Sequence, residues 1–187
     1  MTYLNKVLPA IAPYCTDMWE HFPTLRELAS ECESVVEMGV RGGCSAFALA
    51  AGLEMSKAKD RWMLYLDINA CQNPKLEELA KAAGIKIEFK QADSRAVELP
   101  ECDLLFIDTL HTYGQLRIEL DLHNHKAKKY MVFHDTEAPW GQKNEVDDGS
   151  PDWGLRPAID EFLGSHPEWD LMKHYRNCHG LTVLVRV

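Results

Sequence analysis

The chain has no uninterrupted apolar run of eighteen residues, so no segment is expected to span a membrane. It also has no Cys-x-x-Cys pair. Its six cysteines (15, 32, 44, 71, 102 and 178) are scattered, which argues against a zinc site built from them. Reduced, structural thiols in a cytoplasmic protein are the expectation this spacing supports. The first residues, Met-Thr-Tyr-Leu-Asn-Lys, lack a basic stretch followed by an apolar block, so no secretory signal is expected. Positive charge is scarce: Lys and Arg total 20 against 29 Asp and Glu, a formal net charge of −9. That balance disfavours a nucleic-acid partner and fits a small-molecule substrate better. Repeats, low-complexity tracts and Pro/Gly/Ser linkers are missing too. With 187 residues and 46% hydrophobic content, the sequence reads as a single domain over 1–187. A homo-oligomer is compatible with this composition.

What the chain does have is alternation. Five short apolar runs, at 34–38, 61–66, 85–89, 103–107 and 130–134, alternate with helical patterns. Asn73 can cap a helix that starts on Pro74 and stops at Gly84, with Leu76, Leu79, Ala80 and Ala83 on one face. Tyr113, Leu116 and Leu120 line a later helix, and Leu155, Ala158, Ile159, Phe162 and Leu163 another. Such β/α alternation predicts a mostly parallel sheet covered on both faces, a Rossmann-like three-layer α/β sandwich. The end breaks the rhythm. Residues 170–175 and 181–187 read as strands joined by only five residues, which permits an antiparallel hairpin and no crossover helix. Residues 1–33 precede the first strand and read as helices, with Pro23 separating two of them. Trp19 and Phe22 there are mainly core candidates, with a substrate contact as the alternative.

Residues 35–45, Val-Val-Glu-Met-Gly-Val-Arg-Gly-Gly-Cys-Ser, carry the most information. A short strand ends in Glu37, a turn follows with glycines at 39, 42 and 43, and an Ala-rich helix opens at Ser45. A strand, a tight turn and a helix in sequence let the backbone approach a nucleotide-like ligand closely. It is not a dinucleotide fingerprint, because Arg41 and Cys44 stand where G-x-G-x-x-G needs glycine.

Ligands of open α/β sheets sit beyond the carboxyl ends of the strands, and those positions here are rich in acids. Asp67 ends the second strand, where a carboxylate can accept both hydroxyls of a ribose. Asp93 and Ser94 follow the third. Phe-Ile-Asp108-Thr-Leu-His111-Thr-Tyr and Val-Phe-His134-Asp135-Thr close the fourth and fifth. Two half-buried acids at adjacent strand ends either raise one pKa or recruit a divalent cation. His111 is a candidate general base whose pKa needs little adjustment to work near neutrality. His123 and His125 read as solvated. The 136–154 segment, with Trp140 and Trp153 among acids, reads as a loop covering the substrate.

The form E-x-G-x-x-x-G at Glu37, Gly39 and Gly43 resembles motif I of the class I S-adenosylmethionine-dependent methyltransferases. The F-I-D-x-x-H-x-Y, V-F-H-D-T and A-I-x-E-F-L (Ala158–Leu163) runs resemble the branch near macrocin O-methyltransferase and cephalosporin hydroxylase-like proteins, over about residues 34–187. The resemblance implies a seventh strand inserted between the fifth and sixth. It implies S-adenosylmethionine held by Glu37, Gly39, Gly43, Asp67, Asp93 and Asp108, with Asp93 and Ser94 at the adenine, and Arg41 meeting the donor carboxylate or an anionic acceptor. It further implies a Mg²⁺ or Mn²⁺ ion on Asp108 and Asp135, with His134 as third ligand, and Asp108 and His111 at the acceptor. The expected activity is O-methylation of a small, polyhydroxylated, sugar-like acceptor. Position 110 departs from the branch, being Leu where many relatives have Asp, and the nitrogen of His134 suits Mn, Fe or Zn better than Mg. A metal-dependent hydrolase or oxygenase on the same scaffold, or a non-catalytic nucleotide- or sugar-binding module, are the alternatives.

Overall fold

The computed structural model describes residues 3–187. Helix α1 (Tyr3–Ile11) and α2 (Phe22–Ser30) precede β1 (Ser34–Met38), α3 (Cys44–Met55), β2 (Trp62–Asp67), α4 (Pro74–Ala82) and β3 (Lys86–Gln91). Then come β4 (Cys102–Ile107), α5 (Tyr113–His123), β5 (Ala127–His134), α6 (Leu155–Ser165), β6 (Trp169–Tyr175) and β7 (Leu181–Arg186). The seven strands form one sheet in the order β3-β2-β1-β4-β5-β7-β6. β1 to β5 pair in parallel, whereas β7 pairs antiparallel with both β5 and β6. The expected Rossmann-like sandwich and its C-terminal hairpin are therefore both present.

The period of two along each strand sorts the core into two halves. Val35, Met63, Tyr65, Leu104, Phe106 and Val132 pack under α1 to α4. Their neighbours Val36, Met38, Leu64, Leu105, Ile107 and Met131 pack under α5 and α6. α3 is apolar all round and almost wholly buried, because it is covered by α1 and α2 on the side away from the sheet. α4 starts as its sequence predicts, with the Asn73 side chain accepting from Leu76 N–H and Pro74 in the first turn.

Three expectations are corrected. Pro23 does not separate two helices; it lies in the first turn of α2, where its missing N–H has no helical partner to lose. The β3–β4 crossover holds only a turn and irregular chain, so part of the β2–β3 face is left as a groove lined by Trp62, Ile87 and Pro100. Finally, the cysteines are not all thiols. Cys15 and Cys44 form a disulfide across 29 residues, with Cα atoms 5.7 Å apart, a span within normal disulfide reach. The fold brings the chain before α2 onto the first turn of α3, a proximity that cysteine spacing cannot reveal. The argument from reduced thiols to a reducing compartment fails for this pair. Among the described residues, no helix is long and apolar enough to cross a membrane.

Candidate functional site

The strand order reverses between β1 and β4, and there the connections leave the sheet in opposite directions and open a crevice. A cavity of about 510 Å³ occupies it, bounded by residues after β1, β2, β3, β4 and β5. Gly39 turns the chain at the end of β1 with φ +85°, and its N–H donates to Leu66 C=O. Asp67 then clamps the turn. Its Oδ2 accepts from Val40 N–H (2.9 Å) and Arg41 N–H (3.1 Å), while Oδ1 accepts from Asn69 N–H (2.8 Å). Although partial burial raises the Asp67 carboxyl, these backbone donors more than offset that and hold it below its ordinary value. It is therefore a fixed, ionised acceptor at the cavity wall.

Glu37, within β1 and two residues before Gly39, does not line the cavity. It is fully buried, accepts a hydrogen bond from Ser45 Oγ, and leaves Oε2 without a partner. Burial pushes it up to about 8, against the Ser45 hydrogen bond, and the charges of Asp108 and Asp67 push the same way. Gly43 caps α3 behind the turn and is likewise outside the cavity lining. Glu37 stays protonated in the fold at pH values where the unfolded chain has already ionised it. Its contribution to stability is present below about pH 4.5 and is lost as pH rises through about 8. Glu37→Gln is accordingly expected to flatten this decline and to be more stable than the native chain at pH 9, by about 2–4 kcal/mol. Urea unfolding of both proteins at pH 5 and pH 9 checks it.

The acidic end is the sharper one. Asp108 and His111 follow β4; His134 and Asp135 close β5, Asp135 with φ +57°. His111 Nε2 lies 3.2 Å from Asp108 Oδ1 and 3.0 Å from Asp135 Oδ2. His134 Nδ1 lies 3.2 Å from Asp135 Oδ2 and 3.6 Å from Asp108 Oδ2, and its Nε2 pairs with Cys178 C=O at 2.9 Å. Burial lowers both histidines, but hydrogen bonds to Asp108 and Asp135, and their charges, raise each to about 10. The same contacts hold both acids below the usual carboxylate range despite burial. The expectation that His111 titrates near neutrality is thus not met, because two carboxylates face one ring nitrogen.

Ligand atoms of Asp108, His111 and Asp135 come within 4.8 Å of one another. Three buried atoms of the cluster, Asp135 Oδ1, His134 Nδ1 and His111 Nδ1, have no aligned hydrogen-bond partner. Donation of His134 Nε2–H to Cys178 turns Nδ1 toward the acids, and Nδ1 would offer a lone pair only after losing its proton. Asp108, His111 and Asp135 are placed as a divalent cation would need, and His111 rather than the expected His134 completes that set.

The structure places the remaining candidates as follows. Ser94 lines the cavity and Asp93 does too, the latter paired with Arg95. Arg41 lines it with its side chain largely in solvent, bridged to Asp17. Trp19 and Phe22 are absent from the lining; Phe22 is core. His123 is not solvated. It is buried in α5 with Nε2 2.7 Å from Ser94 C=O. Sequence reading missed Asp17, Thr109, Gln115 and Glu145, all of them in the cavity wall. The 136–154 segment folds back over the site. Glu145 N–H donates to His111 C=O, Asn144 Oδ1 accepts from Tyr113 N–H, and Trp140 stacks on His111 at 4.9 Å.

No protein-family model matches the chain, and no curated protein does. Solved structures do. A Klebsiella pneumoniae protein assigned as an O-methyltransferase superposes with TM-score 0.65 at 17% identity, covering 89% of this chain and 80% of that one. The N-methyltransferase NodS of Bradyrhizobium japonicum WM9, with S-adenosylhomocysteine bound, gives 0.63 at 15%, covering 98% and 96%. An O-methyltransferase of Bacillus cereus, also with S-adenosylhomocysteine, gives 0.58 at 14%, covering 99% and 90%. The chain shares the fold of these methyltransferase structures. At these identities the likeness carries the fold alone, and it selects neither the acceptor nor the macrocin-like branch.

Proposed function

We propose that the chain transfers the methyl group of S-adenosylmethionine to an oxygen of a small, polyhydroxylated, sugar-like acceptor, assisted by a divalent cation. One observation carries this: a single cavity joins the clamped Gly39–Asp67 turn, suited to a nucleoside, to the Asp108–His111–Asp135 cluster, suited to activating a hydroxyl. Support for the donor comes from the methyltransferase fold and from the S-adenosylhomocysteine bound by two of the similar proteins.

In the proposed reaction the acceptor oxygen attacks the sulfonium methyl in line. The C–O bond forms, the C–S bond breaks, and S-adenosylhomocysteine leaves with the bonding pair. Asp67 holds the ribose and Arg41 the donor carboxylate, so most of the acceleration comes from alignment. The acceptor proton passes into the Asp108–His111–Asp135 cluster. His111 can take it only when neutral, so without a cation activity should climb toward pH 10. Asp108, Asp135 and His111 would hold a divalent cation, whose positive charge would favour the acceptor's alkoxide at lower pH. The folded-back loop brings Glu145 to the cavity wall as an acceptor for a sugar hydroxyl, while Trp140 braces His111 from outside that wall. The acidic lining (Asp17, Asp67, Asp93, Asp108, Asp135 and Glu145) disfavours an anionic acceptor.

The test is calorimetric titration with S-adenosylhomocysteine in EDTA and then with Mn²⁺ or Mg²⁺. Micromolar binding is expected, weakened about 100-fold or more in Asp67→Ala, which removes a charged hydrogen-bond acceptor. No binding under any condition would overturn the methyltransferase reading. Binding that Asp67→Ala leaves intact would remove Asp67 from the donor site.

A further inference from the structure

One carboxyl group behind the cavity is used by nothing above. Glu119, on α5, is 0% exposed and does not reach the cavity itself. Its Oε1 accepts from Ser94 Oγ at 2.6 Å and from Gln115 Nε2 at 2.7 Å, and its Oε2 accepts from Thr109 Oγ1 at 2.9 Å. These three partners come from different segments, after β3, after β4 and on α5, and all three line the cavity. Gln115 Nε2 also donates to Ser94 Oγ at 3.1 Å, so both amide hydrogens are spent inside the network. Burial raises the Glu119 carboxyl, against the hydrogen bonds that Ser94, Gln115 and Thr109 donate to it; once ionised, it can only accept. It therefore draws in the hydroxyl hydrogens of Ser94 and Thr109, and what the wall shows the cavity is oxygen lone pairs: Ser94 Oγ, Thr109 Oγ1 and the Gln115 amide oxygen.

The position of this wall says what meets it. With the reacting sulfonium at Asp108 and the ribose at Asp67, the base of the donor lies toward the β3 end, against Ala92 and Ser94. Ile68 and Leu110 line the same cavity and are exposed apolar side chains, suited to the faces of a flat ring. We infer that Glu119 is a positioning residue for donor specificity: it orients Ser94, Thr109 and Gln115 as an acceptor-only surface that reads an exocyclic amino group on the base. This deepens the proposed function and rests on its donor. A 6-oxo base presents a lone pair where adenine presents N–H, and it faces oxygen with oxygen. A site built to receive a hydrogen rejects such an analogue strongly.

The experiment compares S-adenosylhomocysteine with its 6-oxo counterpart, S-inosylhomocysteine, by calorimetry on the full chain. The native protein is expected to prefer the adenine form by at least about 30-fold. In Glu119→Gln the new amide donates to Ser94 or Thr109 and turns that hydroxyl's hydrogen toward the cavity. The preference should then shrink to about threefold or less, partly because the inosyl form binds better. A merely structural role would weaken both ligands together and keep their ratio, and that result overturns the inference. Equal binding of the two ligands by the native protein overturns it while leaving the donor reading intact. Binding of neither removes both. Should Glu119→Gln fail to fold, judged by its thermal transition, Gln115→Leu decides. Loss of the preference supports the assignment, and an unchanged preference refutes it.

Discussion

Gly39→Ala is expected to destabilise the fold by about 3–5 kcal/mol and to abolish donor binding in whatever fraction still folds. Two independent effects add. The residue has φ +85°, a region that L side chains enter only with strain. A Cβ there would also lie 1.9 Å from Asp108 C=O oxygen and 3.1 Å from Thr109 N. These are backbone atoms at the end of β4, so no rotamer change relieves the clash, and Asp108 itself must move. Gly42, three residues beyond the pivot, is the control: nothing lies within 4 Å of a Cβ there, and its φ is not in the left-handed range. Gly42→Ala should stay within about 0.5 kcal/mol of the native chain. Thermal unfolding of the two variants, followed by S-adenosylhomocysteine titration, checks the contrast. Equal stability of the two would mean that the close approach of the β1 turn to β4 is not needed.

Asp108→Asn should lower the proposed methyl transfer by about a thousandfold and weaken the proposed cation binding, while leaving the chain folded near neutral pH. The substitution keeps the volume and deletes the charge that both His111 and His134 face. Its clearest signature is in the histidines, which fall from about 10 toward ordinary values once one carboxylate is gone. Because both are raised in the fold, the stability they contribute is fully present below about pH 6.5 and is lost as pH rises through about 10. In EDTA, the variant should therefore lose that contribution at lower pH than the native chain. NMR titration of the imidazoles, together with urea unfolding at pH 7 and pH 10, reads both effects. Unchanged histidine titration would show that Asp135 alone supports the pair.

Much of the architecture was legible because it is written in local period. The apolar runs at 34–38 and 103–107 fall within a residue of the strands, since a run of that length between turn signals has few other uses. The five-residue connection before Leu181 forced an antiparallel hairpin, because a crossover needs a dozen residues or more. Position in the sheet then placed chemistry. Asp67, Asp93, Asp108 and Asp135 are strand-end acids, and a parallel sheet brings all its carboxyl ends to one crevice.

Other features depended on contacts between distant segments. Nothing local to His111 says that Asp135, 24 residues away, will face the same ring nitrogen and raise it to about 10. Nothing in the spacing of Cys15 and Cys44 marks them as partners, and nothing around His123 marks it as buried against Ser94. Glu119 owes its burial to the loops after β3 and β4, whose Ser94 and Thr109 close over it. The sequence by itself determined the elements, their direction and the edge of the sheet that carries the acids, because backbone geometry and hydrophobic period act over a few residues. Only the tertiary structure decided which of those acids are buried, which share a proton with a histidine and which hold a wall in place. Burial and pairing are set by neighbours from other segments of the chain, as with Ser94 and Glu119, 25 residues apart.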